Sequence, residues 1–457
     1  MSNFGSVRNM ASRASLFALR SKARAALRFY TNLTPAEAGR KAQILAGSST
    51  GKKSEQNHLS TNLAHAGIEC QSNAPLAPPL HLSSTYTRPA DGVYNETDSI
   101  YNRTDNKTRL LLERVVYEME THGMDDQSVE PTTFAFSSGM MAASSIILAH
   151  STPISIILPK DVYYGVTTVA VDVFRRHNVE VEHVDMSQIS EVTDALSRVT
   201  SSQAIVWIET PSNPLCQVFD MQGICDAVRS ASKASGHSVT IVVDSTLAPP
   251  ILTQALNYGP DLVMHSGTKY FAGHSDVLLG LVTASPVTER GRELAPLLQE
   301  TQIEVGGVAS AFDAWLCLRG LRTLSVRVER ICQSALEVAK FLDAHPMVTK
   351  THYPGLSSHP QHELATRQMK NGFGGVLSFE LENATAATAV AGALQMIQRA
   401  TSLGGTETLI EHRASIEPPG RVTSPQGLLR MSIGLEDQKD IIRDLDNALS
   451  IAHQIVS

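Results

Sequence analysis

Apolar and polar residues alternate along this chain in two different rhythms. Short, mostly apolar runs at Ile154–Leu158, Ala204–Ile208, Val239–Val243 and Leu262–Met264 read as buried strands. Longer amphipathic stretches such as Met221–Ser235 lie between them and read as helices. Strands that alternate with helices imply a mostly parallel sheet covered on both faces, so residues 111–300 are expected to form an α/β domain. Leu110, Leu111, Leu112, Val115, Val116 and Met119 recur at helical spacing just before it. The C-terminal part, 301–457, reads as a smaller α+β domain. It has a long helical run near 308–345, a strand at Gly375–Leu381, a helix at Ala386–Arg399 and a closing helix after Asp437. Residues 54–110 contain the stretch 71–108, rich in Pro, Ser, Thr and Asn, and read as an extended arm.

Charge separates one more segment. Residues 1–53 hold ten basic side chains and one acid, Glu37, which leaves the remainder with 28 basic and 44 acidic residues, a net −16. A basic start that is rich in Ser and Ala has the composition of an organelle transit peptide. The expected location is a mitochondrion or plastid if it is one, and the cytoplasm otherwise. The whole 457-residue chain carries −7, which argues against a general nucleic-acid binder. No stretch approaches the ~18 uninterrupted apolar residues of a membrane-spanning helix. The five cysteines (Cys70, Cys216, Cys225, Cys317, Cys332) form no C-x-x-C pair and read as buried free thiols of a reducing compartment.

Several motif-like fragments lack the context their chemistry needs. Gly47–Ser54 is one residue short of a phosphate loop and follows no strand. His359 and His362 lack further ligands for a metal, so loop hydrogen bonding is expected. Gly372, Gly374 and Gly375 read as a turn before a strand.

The chemistry gathers at the C-terminal ends of the strands, where open α/β sheets bind ligands. The runs end in Glu209-Thr-Pro-Ser-Asn-Pro214, Asp244-Ser-Thr246 and His265-Ser-Gly-Thr-Lys-Tyr270. A lysine at an apolar strand end loses part of its preference for the charged form and becomes an amine nucleophile. Ser266 and Thr268 offer hydroxyls to a phosphate, and Asp244 could hold a cation. Ser138-Gly139-Met140 opens a helix whose first N–H groups attract an anion. Phosphate donors, an imine-forming amine and a carboxylate for a ring nitrogen together describe a site for pyridoxal 5'-phosphate.

With these residues in view, the chain from about His58 to the C-terminus resembles the trans-sulfuration enzymes of Cys/Met metabolism, the cystathionine γ-synthase, β-lyase and γ-lyase group. The most specific stretch is Ser266-Gly-Thr-Lys-Tyr-Phe-Ala-Gly-His-Ser-Asp276; Glu209–Pro214, Arg319–Leu324, Tyr353–Leu356 and Arg430–Glu436 also match. The resemblance implies the fold-type-I architecture of pyridoxal-phosphate enzymes, like aspartate aminotransferase. It implies that Lys269 binds the cofactor covalently, that Asp244 meets the ring nitrogen, and that Asn213 lies beside the ring hydroxyl. Tyr164 would stack on the ring, with adjacent Tyr163 the alternative. Gly139, Met140, Ser266 and Thr268 would hold the phosphate. Tyr101 and Arg103 would reach the phosphate of a neighbouring subunit, which requires at least a dimer; the family implies a tetramer. Arg430 and Ser402 would bind the substrate carboxylate, and no metal is implied.

The expected reaction is C–S bond cleavage, by β- or γ-elimination, in cystathionine or a similar sulfur amino acid. The alternative is γ-replacement, joining cysteine to an activated homoserine. The chain departs from the family pattern at Ser245, Lys107, Ala309 and Ala311, and at three positions expected near the substrate's distal end. Thr401 stands where many γ-specific members carry Glu, Arg413 replaces a proline, and Glu417 falls where Thr or Met is usual.

Overall fold

The computed structural model describes residues 57–68, 75–94, 98–124, 130–417 and 420–456. The basic segment 1–53, its Gly47–Ser54 fragment and Cys70 lie outside the described residues.

The four expected strands all form, as β2 (Ile154–Pro159), β4 (Gln203–Glu209), β5 (Ser238–Asp244) and β6 (Leu262–Ser266). Three more join them: β1 (Thr133–Phe136), β3 (Val179–Val184) and β7 (Gly280–Ala284). The seven-stranded order is β1-β7-β6-β5-β4-β2-β3, and only β7 runs against its neighbours. Both faces are covered, so side chains of one strand alternate between two cores. On β4, Ile205 and Trp207 face the core under the helices Gly139–Leu148 and Glu289–Val305. Val206 and Ile208 face the one under Ile189–Arg198 and Met221–Ser235.

A second sheet follows in the order β10-β11-β12-β9-β8. Its strands are β8 (Lys350–His352), β9 (Val376–Glu380), β10 (Gln398–Arg399), β11 (Leu409–His412) and β12 (Leu428–Ser432). They pack on the helices Leu324–Ala344, Ala384–Ala393 and Gln438–Val456. Register places Glu411 of β11 directly opposite Arg430 of β12.

Two helical expectations need correction. The run near 308–345 is two helices, Ala311–Leu321 and Leu324–Ala344. Thr323 breaks it, with its hydroxyl bonded to the Gly320 carbonyl in place of the next helical turn. The helix expected over 386–399 ends at Ala393, and Gln398–Arg399 instead pairs with β11. The helix Lys107–Glu120 begins earlier than its apolar pattern, because Asn106 caps it by accepting from the N–H groups of Thr108 and Arg109. The four described cysteines are buried and free. His362 Nδ1 lies 2.8 Å from the Pro354 carbonyl, a loop hydrogen bond. No helix among the described residues is long and apolar enough to cross a membrane.

Arg327 ties the turn after Lys269 to the helices beneath it. It is buried, and it donates to the carbonyls of Tyr270 at 2.9 Å and Gly320 at 2.8 Å. Gly273, at φ +72°, leaves room for it: a Cβ there would lie 2.0 Å from Arg327 Nη1. Arg327→Met strands these carbonyls and is expected to cost about 3 kcal/mol. Urea unfolding checks this through a lower midpoint at unchanged slope.

Candidate active site

Three strand ends meet at one edge of the large sheet. Register sets Glu209 beside Asp244 and Asp244 beside Met264, two residues before Ser266. A cavity of about 260 Å³ opens there. Lys269, Asp244, Asn213, Tyr164, Gly139, Met140, Ser266, Thr268, Ser402 and Arg430 all line it, so sequence-distant expectations converge on one place. Tyr163 lines it too, its ring centroid 5.0 Å from that of Tyr164, so both tyrosines face the space. Tyr101 and Arg103 are not brought in. They are exposed, and Arg103 bonds the Ile303 carbonyl and pairs with Glu304 at 3.6 Å.

Lys269 Nζ donates to Ser402 Oγ at 2.7 Å. Burial, then the nearby Arg430 charge, pushes its pKa down from 10.5 to about 8, with Glu411 pulling the other way. Ser402 holds a left-handed backbone, φ +83°, unusual for a residue with a side chain. Its carbonyl accepts from Arg430 Nη2 at 2.7 Å, so one residue touches both the amine and the guanidinium. Gly404 makes this approach possible, since a Cβ there would lie 2.8 Å from the Tyr270 nitrogen.

Asp244 is buried without an ion-pair partner among the described residues. Burial raises its pKa, against the hydroxyl and N–H of Thr246, which reach Oδ1 at 2.6 and 3.0 Å. Glu209 is raised further, first by burial and then by Asp244 itself. Its two oxygens accept from the N–H groups of Tyr163 and Asn213, both at 2.9 Å. Glu209 thus fixes the two loops that carry Tyr164 and Asn213.

Pyridoxal phosphate fits what these groups lack. A buried carboxylate with no cation suits a protonated ring nitrogen. Asn213 Oδ1 is buried with no partner. The first N–H groups of the helix Gly139–Leu148 have no acceptor within the helix, and Ser138 Oγ caps only Met141. Gly139 keeps that cradle open: a Cβ would lie 3.1 Å from Ser266 Oγ. Thr268 is more occupied than expected. Its hydroxyl donates to the Leu279 carbonyl at 3.3 Å and accepts from the Leu279 N–H at 2.9 Å.

Glu411 carried no signal in the sequence. Only strand register reveals that it sits against Arg430, at 2.7 Å, with Arg413 at 2.9 Å from the same oxygen. Thr246 was visible as a residue after Asp244, but not as the group that fixes its orientation. Among the described residues, no cluster of three or more metal-ligating side chains occurs.

Comparison with known proteins points the same way. The family described as Cys/Met metabolism PLP-dependent enzyme matches residues 60–450. Cystathionine gamma-lyase of Bacillus subtilis is 36% identical over 397 residues, 85% of this chain and 98% of that protein. Cystathionine beta-lyase of Coxiella burnetii is 34% identical, covering 88% and 100%. Cystathionine gamma-synthase of Mycobacterium leprae is 37% identical, covering 86% and 97%. A crystal structure of cystathionine gamma synthase from Xanthomonas oryzae pv. oryzae in complex with cystathionine superimposes with a TM-score of 0.77 at 35% identity, covering 88% and 100%.

The lowered amine pKa has a direct readout. In the cofactor-free protein, reaction of Lys269 with an amine reagent is expected to rise with pH around a midpoint of about 8, followed by peptide mapping. A midpoint near 10.5 contradicts the desolvated setting. The same shift makes the folded state bind fewer protons than the unfolded chain between these values. This group's contribution to stability therefore improves as pH rises from about 8 toward 10.5.

Proposed function

The chain belongs to the Cys/Met metabolism PLP-dependent enzymes, a family of trans-sulfuration catalysts, and from that premise we propose that it is a carbon–sulfur lyase acting on cystathionine or a similar sulfur amino acid. The observation that carries this reading is the half-buried Lys269 amine, 2.7 Å from Ser402 and in the same cavity as Arg430. Bound pyridoxal phosphate supplies an electron sink for negative charge at the substrate Cα.

In this reading, Arg430 binds the substrate carboxylate and fixes the Cα–H bond relative to Lys269. Lys269, whose pKa is lowered to about 8 so that more of the amine is uncharged than in a free lysine, takes the Cα proton. Its hydrogen bond to Ser402 holds the amine on the carboxylate side of the cavity. For γ-elimination the same amine also moves protons at Cβ. Asp244 would favour the protonated ring nitrogen, and Tyr164 or Tyr163 would cover the ring face. Gly139, Met140 and Ser266 would hold the phosphate, and Thr268 would join them by turning its hydroxyl away from the Leu279 carbonyl.

Tyr101 and Arg103 support an assembly of at least two chains, and we propose the tetramer expected of the family. Their turn is exposed yet pinned. Buried Arg109 donates to the carbonyls of Asn102, Arg103 and Thr104, and Asp105 accepts from the N–H groups of Ile100 and Tyr101. A pinned turn with an exposed aromatic ring, and a partly exposed guanidinium that would exchange its contacts with Ile303 and Glu304, suits a neighbour's phosphate site. Residues 1–53 are proposed as a transit segment to a mitochondrion or plastid, on composition alone.

The γ-replacement alternative is retained because the Mycobacterium leprae relative and the Xanthomonas oryzae structure are both named synthases. Product analysis with cystathionine separates the readings. Pyruvate with homocysteine marks β-elimination, and 2-oxobutyrate with cysteine marks γ-elimination. No cleavage, with synthesis from an activated homoserine, overturns the lyase reading. Lys269→Ala is expected to lose the visible cofactor band and about 10³-fold or more of turnover.

A further inference from the structure

One carboxylate is shared by two buried arginines. Glu411 Oε1 lies 2.7 Å from Arg430 Nη2 and 2.9 Å from Arg413 Nη1. Glu411 Oε2 is buried with no partner, and so are the Nε atoms of both arginines. A carboxylate facing a single guanidinium often pairs with it through both oxygens, as Asp172 does with Arg421. Glu411 instead meets each arginine through the same one, so neither fork is filled.

The pull away from Arg430 is anchored. Arg413 opens the short turn after β11, two residues beyond Glu411, with its guanidinium 5.6 Å from the Tyr164 ring centre. Its Nη2 lies 3.8 Å from Glu417 Oε1. Glu417 in turn accepts from the N–H groups of Thr423 and Ser424 and from the Ser424 hydroxyl. Arg430 has its own second acceptor, the Ser402 carbonyl.

We propose that Arg413 is a positioning residue that holds Glu411 partly off Arg430, so that the arginine stays open to the carboxylate of an incoming amino acid. The inference rests on the reading of Arg430 as the substrate-carboxylate clamp. When the substrate carboxylate takes Arg430, Glu411 stays with Arg413, and no buried charge loses its partner. Without Arg413, Glu411 has one cation left. It closes on Arg430 with both oxygens, and the substrate must displace it.

The test titrates the visible band of the cofactor-loaded protein with three ligands that lack a C–S bond. L-norleucine carries one carboxylate. L-2-aminosuberate carries a second at the separation found in cystathionine. n-Pentylamine carries none. Because none of them can be cleaved, the result does not depend on whether the enzyme is a lyase or a synthase. A failed product assay with a positive titration removes the reaction assignment alone.

Arg413→Met is expected to raise the Kd of norleucine and aminosuberate alike by about tenfold, the size of one charge-assisted hydrogen bond, with pentylamine unchanged. Arg413→Met/Glu411→Gln removes one charge of each sign and is expected to restore norleucine binding. Arg413→Lys is expected to fall between wild type and Arg413→Met, and it decides the matter if the Met variant does not fold. Four results overturn the proposal: unchanged norleucine binding, equal weakening of pentylamine, weakening confined to aminosuberate, or no recovery in the double variant. Weakening confined to aminosuberate would make Arg413 a distal-carboxylate subsite.

Discussion

The site depends on keeping ionisable groups dry without leaving each one its own counter-charge. Lys269, Asp244 and Arg430 converge on one cavity at a sheet edge, Asp244 and Arg430 buried and Lys269 half-buried. A charge in such a place is costly unless a partner meets it. Arg430 is met by Glu411 yet burial still lowers its pKa, and Lys269 and Asp244 are shifted toward their neutral forms as well. The result is an amine close to its reactive state and a carboxylate suited to a cation that the protein does not supply.

That arrangement needs both sheets. The large sheet contributes Asp244 and the turn bearing Lys269; the small sheet and its preceding loop contribute Arg430, Glu411 and Ser402. The seam between them is built from specific close contacts. The Tyr270 hydroxyl accepts from the Gly375 N–H at 2.9 Å, and Ser378 donates to the Pro214 carbonyl at 2.7 Å. Gly404 and the left-handed Ser402 let the loop press against the Lys269 backbone. Stability and chemistry are therefore coupled at this seam, because a shift that loosens it also separates the amine from the guanidinium.

Much of this was legible in the chain. The four apolar runs gave the parallel strands because strands buried on both faces need no alternation. The residues that end them were readable as a site because strand ends share an edge. The missed strands were missed for physical reasons. β1 has only four residues, and the edge strand β3, Val-Glu-Val-Glu-His-Val, exposes part of its length and so carries charge. The false helix at 394–399 arose because an apolar pattern cannot distinguish a strand that caps a small sheet from the continuation of a helix. Glu411 was silent because its meaning lies in the β11–β12 register, a long-range property that no local pattern encodes. Tyr101 and Arg103 were found by resemblance, and a single chain leaves them facing outward.

The chemistry proposed for this site turns on the amine of Lys269 as the covalent anchor of the cofactor. Borohydride reduction of the pyridoxal-phosphate-loaded protein, followed by proteolysis and mass mapping, tests it most directly. One stable phosphopyridoxyl label is expected, on the peptide containing Ser266-Gly-Thr-Lys-Tyr270 and at Lys269 itself. A label on another lysine, or a loaded and active protein that takes up no label at all, would contradict it.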